Sequence, residues 1–301
     1  MPVNLDQIAN RDGTFAILAM DQRGTLRSML DKAGRPSTPE ELSAFKVDVI
    51  DALSPLATGV LTDVEYGVGP VRAAGALAPG VGLLVASDRS PQPTWNGEHR
   101  NEYAATERGP AFVAAHGGTA LKFLVRWRPD RLAGPGEPDL ARETLDAVAA
   151  VVADCRACGL PSVIEPLVAK LPGEPELSPE RHARLVIRSA ELLAQLAPDL
   201  LKLEWPGDVD GCREVSKVCG TVPWALLSAG VAYERFVERV LTAMDAGASG
   251  YIAGRAFWGE AVALTGTDRR RFLATTAAER MARLNAAIEG RGRPWREVAG
   301  R

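Results

Sequence analysis

Eight short apolar runs punctuate the chain, separated by longer segments in which apolar residues recur at helical spacing. The runs are Phe15 to Met20, Gly59 to Thr62, Gly82 to Ala86, Ala120 to Val125, Ser162 to Pro166, Leu200 to Leu203, Trp224 to Leu227 and Gly250 to Ala253. Each is short for a helix and suits a strand buried on both faces. Amphipathic patterns predict helices over Pro39 to Leu53, Leu140 to Gly159, Pro179 to Leu196 and Tyr233 to Ala246, with Arg269 to Glu289 after the last run. The first of these opens with Thr38-Pro39-Glu40-Glu41, an N-cap, a proline at the first helical position and acids suited to the positive end of a helix. Regular alternation implies parallel strands joined by crossover helices. Eight repeats point to a single closed (β/α)8 barrel of the α/β class over residues 1–301, in preference to an open doubly wound sheet. Residues 89–109, with Pro91, Pro93, Asn96 and Gly97, predict a long loop after the third strand, equally consistent with a cap over an active site and with a disordered surface insertion.

A chain of 301 residues with 46% hydrophobic content can bury a core of that size. The net charge of -3 and the pI near 5.8 give no global attraction to nucleic acid or to an anionic membrane, so an anion would need a local site. The N-terminus lacks the basic and apolar blocks of a secretory signal. No apolar stretch approaches the roughly 20 residues of a membrane helix, which makes a cytoplasmic protein the expectation. Four cysteines are too few for a disulfide scaffold in a chain this long. Cys155-Arg156-Ala157-Cys158 has metal-ligand spacing but ends a helical pattern, without a second such pair or a nearby histidine, and reads as helix packing. His99, His116 and His182 share no motif.

Polar residues cluster where the strands should end, which is where a barrel of this kind collects its chemistry. Lys202 stands in the apolar run Leu200-Leu201-Lys202-Leu203-Glu204-Trp205. Strand alternation puts it on one face with Leu200 and Glu204. In a closed pocket, desolvation favours the neutral amine and suits it to Schiff-base chemistry on a carbonyl; on an exposed edge, it would pair with Glu204 instead. Lys122 on the fourth strand and Glu165 on the fifth complete a set. A second amine lowers the affinity of the first for its proton, and a carboxylate between two amines can shuttle protons during carbinolamine formation and dehydration. Asp21-Gln22-Arg23 ends the first strand and Asp63-Val64-Glu65 the second. Ser228-Ala229-Gly230 and Gly254-Arg255 follow the seventh and eighth, the usual position of a phosphate site, with Arg255 suited to bidentate contact. Arg126-Trp127-Arg128, just beyond the fourth strand, reads as a solvated loop with a packed tryptophan, with a second anion contact as the alternative.

The ordered set Leu18-Ala19-Met20-Asp21-Gln22-Arg23-Gly24, Ala120-Leu121-Lys122-Phe123-Leu124, Ile164-Glu165-Pro166, Leu201-Lys202-Leu203-Glu204-Trp205-Pro206, Leu227-Ser228-Ala229-Gly230-Val231 and Ala246 to Ala256 resembles the class I tagatose-1,6-bisphosphate aldolases. It resembles equally the related sulfofructose-phosphate aldolases. The resemblance spans residues 14 to 260. It implies a TIM barrel, no metal or other cofactor, a sugar-phosphate substrate and a homo-oligomer. It further implies a Schiff base at Lys202, proton transfer by Glu165 and Lys122, Asp21 facing the substrate beside Gln22 and Arg23, and a phosphate held by Ser228, Ala229, Gly230, Gly254 and Arg255. Asp63 to Gly67 is closer to the tagatose-bisphosphate members. Val125 to Arg128 and Val222 to Trp224 are closer to the sulfo-sugar members, and 89–109 matches neither. The expected reaction is reversible cleavage of a ketose 1-phosphate to dihydroxyacetone phosphate and an aldehyde. The alternatives are a metal-dependent barrel lyase, which the scattered histidines disfavour, and a noncatalytic sugar-phosphate-binding barrel.

Overall fold

In a computed structural model describing residues 3–301, the eight apolar runs form eight parallel strands. They are β1 (Phe15–Met20), β2 (Gly59–Thr62), β3 (Gly82–Ala86), β4 (Ala120–Trp127), β5 (Ser162–Val168), β6 (Leu200–Leu203), β7 (Trp224–Leu227) and β8 (Gly250–Ala253). Each pairs with its neighbours in sequence, and β1 pairs with β8 to close the barrel. Two strands extend further than the sequence pattern predicts. β4 continues through Arg126 and Trp127, and β5 through Leu167 and Val168, because these residues pair Leu121↔Ser162 through Trp127↔Val168.

The period of two along each strand sorts side chains into two cores. Ile17, Ala19, Leu61, Leu84, Ala86, Ala120, Val163, Leu200, Ala225 and Ile252 fill the barrel interior. Leu121, Phe123, Val125, Leu201, Leu203 and Leu226 face the helices. The N-terminal end is plugged by Leu5, Ile8 and Trp295, which join the interior core. Gly82 permits this plug, since a Cβ there would lie 2.1 Å from the Gln7 carbonyl oxygen. Side chains one step beyond the interior core therefore meet at the open C-terminal mouth.

The helices Pro39–Leu53, Leu140–Cys158, Pro179–Ala194 and Tyr233–Asp245 match the predicted ones to within two residues. Cys155 is buried in the outer core and Cys158 is exposed, as helix packing requires. The continuous helix expected over Arg269 to Glu289 is instead Gly266–Phe272 and Ala278–Ile288, joined by a π-helical turn at Leu273–Ala277. Residues 89–109 are not a bare loop. They fold a small antiparallel hairpin, Thr94–Trp95 against Glu98–His99, and a short helix, Ala105–Arg108. Among the described residues, no helix is long and apolar enough to cross a membrane.

Candidate active site

Strand alternation carries four charged groups into one layer above the apolar interior. β4 places Lys122 two residues above inward-facing Ala120, β5 places Glu165 above Val163, and β6 places Lys202 above Leu200. Asp21 stands likewise above Ala19. Lys122 is 0% exposed and Lys202 4%. Glu165 bridges the two amines, with Oε1 at 2.9 Å from Lys202 Nζ and Oε2 at 2.8 Å from Lys122 Nζ. Lys122 Nζ donates to Asp21 at 2.8 Å and to Asp88 at 3.3 Å.

This corrects one expectation about Lys202. Its partner is Glu165, and Glu204, just past the end of the strand, turns away toward β5. Glu204 instead accepts the Val168 backbone N–H at 2.7 Å and lies 3.4 Å from His182 Nε2. It thereby ties the end of β6 to the end of β5, whose ladder pairing stops at Ile164↔Leu201.

The charges set one another's protonation. Burial works against ionising Asp21, but Lys122, then Lys202 and Arg23, outweigh it and hold the carboxyl well below the usual range. Burial likewise opposes the charge on Lys122, yet Asp21, Asp88 and Glu165 raise its affinity for a proton above that of an ordinary amine. Lys122 is thus a fixed cation.

Two contributors were not singled out in the sequence. Asp88 follows β3 at the inward position two residues past Ala86. It binds Lys122 and Arg23, the latter also paired with Glu65 at 3.4 Å. Lys46, fully buried on the helix Pro39–Leu53, donates to the carbonyls of Met20 at 2.7 Å and Gln22 at 2.8 Å, and pairs with Asp63 at 2.6 Å. It pins the backbone on both sides of Asp21. A signal existed for it, because a lysine interrupts the apolar stripe Leu42, Phe45, Val49 and Leu53.

The mouth encloses a cavity of about 450 Å³, lined by Asp21, Gln22, Arg23, Glu165, Lys202 and Arg255 together with Asp88, Gln92 and Arg126. Ser228, Ala229, Gly230 and Gly254 do not line it. They surround its eighth-strand wall, since a Cβ on Gly230 would lie 3.0 Å from the Arg255 guanidinium carbon. Ala229 and Gly230 both have positive φ, 49° and 81°, and a left-handed alanine is a costly conformation that often marks a functional loop. Among the described residues, the backbone N–H groups of Ala229, Gly230, Gly254 and Arg255 have no hydrogen-bond acceptor, and the Arg255 side chain has no ion pair. Burial presses against the charge on Arg255, Glu165 and Asp21 offset this only in part, and Arg126 adds to the pressure, which a bound anion would relieve. Gly254 has a structural reason as well: a Cβ there would lie 1.9 Å from the Ala19 carbonyl oxygen.

Arg126 and Trp127 belong to β4 itself, contrary to the expected loop, while Trp127 is packed as expected. Arg128 is committed to Glu174 at 2.6 Å and Asp130 at 2.8 Å. Arg126 alone of the three reaches the cavity, from the strand that carries Lys122.

A closed parallel eight-stranded barrel with paired amines and a carboxylate at its C-terminal mouth defines an enzyme of the (β/α)8 class. Residues 15–260 match the model of the DeoC/LacD family aldolases. The chain belongs to that family and is therefore a carbon-carbon lyase. It is 27% identical to a tagatose 1,6-diphosphate aldolase of Listeria monocytogenes serotype 4a, covering 97% of this chain and 92% of the relative. Among solved structures, it superposes on an archaeal fructose-1,6-bisphosphate aldolase described with its catalytic lysine bound to the carbinolamine intermediate. That match has a TM-score of 0.60, 21% identity, and 92% and 98% coverage of the two chains. A fructose-bisphosphate aldolase from Plasmodium falciparum gives a TM-score of 0.69 at 14% identity, covering 96% and 93%.

Proposed function

We propose that the protein is a Schiff-base aldolase that reversibly splits a ketose 1-phosphate into dihydroxyacetone phosphate and an aldehyde, with Lys202 as nucleophile. The observation that carries this reading is the Glu165 carboxylate held between two buried amines at 2.9 and 2.8 Å. Lys202 passes a proton to Glu165 Oε1, its free amine attacks the substrate C2 carbonyl, and a proton moves from the new C–N nitrogen to the alkoxide oxygen to give the neutral carbinolamine. Glu165 returns that proton to the carbinolamine hydroxyl, which leaves as water, and the resulting iminium becomes the electron sink. The regenerated carboxylate then takes the proton of the C4 hydroxyl as the C3–C4 bond breaks, leaving an enamine and an aldehyde. The same acid reprotonates C3 before hydrolysis frees Lys202.

Asp21 is the poorer candidate for that base, because the surrounding cations hold its carboxyl well below the usual range. Lys122, locked as a cation, keeps Glu165 oriented and balances its charge. The N–H groups of Ala229, Gly230, Gly254 and Arg255, with the Arg255 guanidinium and Ser228, supply donors for the C1 phosphate, as in other barrels of this class.

Arg126, across the cavity from Arg255 and without an ion pair among the described residues, supports a substrate with a second anion at its far end. Tagatose 1,6-bisphosphate, fructose 1,6-bisphosphate and 6-deoxy-6-sulfofructose 1-phosphate all fit that description. Cleavage assays on the three side by side decide among them. Borohydride reduction in the presence of dihydroxyacetone phosphate tests the mechanism. The expected result is a mass increase on the peptide containing Lys202, and a folded, phosphate-binding protein that yields no adduct would rule the mechanism out.

A further inference from the structure

A second cavity of about 250 Å³ lies beside the reaction cavity, on the outer side of a wall made by Arg126 and His99, which line both. The proposed chemistry leaves it unused. Its other walls include Trp127, the end of β5, and Leu140 and Ala141, the first two residues of the helix Leu140–Cys158.

Glu98, Arg128, Arg131 and Lys170 around it are ion-paired, but several other polar groups lack partners. Trp127 is 3% exposed, and its indole N–H has no acceptor among the described residues. His99 Nδ1 is also buried without a partner. The backbone N–H of Ala141, at the second position of a 19-residue helix, makes no hydrogen bond, whereas the next N–H is capped by Asp139. The Arg126 side chain, which is exposed, has no ion pair among the described residues. The one carboxylate on the wall, Glu98, is bound to Arg131 at 2.7 Å.

Guanidinium, indole and backbone N–H groups only donate, so their natural ligand is rich in acceptors. The helix N-terminus adds its partial positive charge. Buried donors without partners cost stability, which a bound acceptor restores.

We propose that this cavity is a second oxyanion site, taking a phosphate or sulfonate group at Trp127, Ala141 and Arg126, separate from the cradle at Arg255. Two sources share this chemistry: the distal anion of a substrate reaching past Arg126, or a free inorganic anion. Only the first source rests on the proposed aldol reaction.

The test follows indole N–H resonances during titration with inorganic phosphate, with Trp127→Phe identifying the Trp127 signal. That signal is expected to shift saturably in the wild-type protein and in Arg255→Ala. Ala141→Glu places an acid in the first helical turn, where it does not destabilise the helix, but sets a carboxylate against the anion. It should weaken the Trp127 response by about tenfold or more without lowering the melting temperature. If Trp127→Phe does not fold, the indole signal sensitive to Ala141→Glu identifies the site. A Trp127 signal indifferent to saturating phosphate, or an equal response in Ala141→Glu, overturns the proposal. In Lys202→Ala, which cannot turn over, a ketose bisphosphate that moves the Trp127 signal where dihydroxyacetone phosphate does not assigns the site to the substrate. Movement with inorganic phosphate alone assigns it to a separate anion.

Discussion

Replacing Lys122 with methionine removes the one cation that three carboxylates share. Asp88 keeps Arg23, and Glu165 keeps Lys202 at 2.9 Å, so Asp21 alone loses the one side-chain hydrogen-bond partner it has among the described residues. The loss is then that of one buried pair broken from one side, about 3–5 kcal/mol. At roughly 2.1 cal/mol/K of unfolding entropy per residue, a chain of 301 residues has about 0.6 kcal/mol/K. The melting temperature at pH 7.5 should therefore fall by about 5–8 °C.

The pH dependence gives the sharper signature. In the wild type, the depressed Asp21 contributes stability above its unfolded pKa of about 3.9, lost as pH falls through its folded value. Without Lys122, burial, the largest influence on this carboxyl, is opposed only by Lys202 and Arg23, and Asp21 is expected to rise above its unfolded value. A carboxyl raised by folding binds its proton more tightly in the folded state, so the variant loses stability as pH rises and regains it toward pH 4. Differential scanning calorimetry at pH 7.5 and 4.5 should show a gap to wild type that narrows in acid. A gap below about 2 °C, or one that stays constant with pH, would refute the claim that Lys122 holds Asp21 ionised.

Glu165→Gln preserves shape but cannot shuttle a proton, and kcat/KM for ketose phosphate cleavage should drop by about 10²–10⁴ while phosphate binding, read by thermal shift, is retained. Arg255→Ala removes a charge-assisted contact of about 1.5–3 kcal/mol, so steady-state kinetics should show KM for a ketose phosphate raised by about tenfold or more, with a smaller change in kcat. Glu204→Ala leaves the Val168 N–H without its acceptor and frees the β5 end from β6. Chemical denaturation should show a loss of about 1–3 kcal/mol, with Glu204→Gln, which keeps an acceptor, closer to wild type.

The barrel was legible because its strands are buried on both faces, so each appears as a short apolar run that helices cannot imitate. A period of two along those runs accounts for the shared inward placement of Lys122, Glu165 and Lys202, but the sequence shows only which residues share a face and not which face turns inward. Alternation failed at Glu204, just past the end of β6, because its carboxylate turns to the Val168 N–H and His182, whereas Asp21, equally one residue past β1, keeps the inward direction toward Lys122. The neighbour that replaced Glu204 lies on another strand, and inter-strand register is not written locally. The same limit hid Asp88, which lies beyond the end of β3 and acquires meaning only from Lys122 and Arg23. The hairpin within 89–109 has two-residue strands, too short to show any period. The break at Leu273–Ala277 is invisible because a π-helical turn barely disturbs an amphipathic pattern.

Counting charges at the mouth explains why this arrangement can be stable and still reactive. Lys122, Lys202 and Arg23 stand against Asp21, Asp88 and Glu165, three cations to three anions in mutual contact. That set needs no ligand to be neutral, whereas Arg255 and Arg126 have no ion pair among the described residues and are suited to a bound anion. The proposed mechanism preserves the balance. An iminium at Lys202 carries the same charge as the ammonium it replaces. When the C4 proton passes to Glu165, the carboxylate loses its charge as the iminium becomes a neutral enamine, leaving two cations against two anions. Burying a net charge would cost several kcal/mol, and moving the proton and the electron pair together avoids that cost. A base outside this set would leave Glu165 charged beside the neutral enamine, which is the physical argument for Glu165 itself taking the proton.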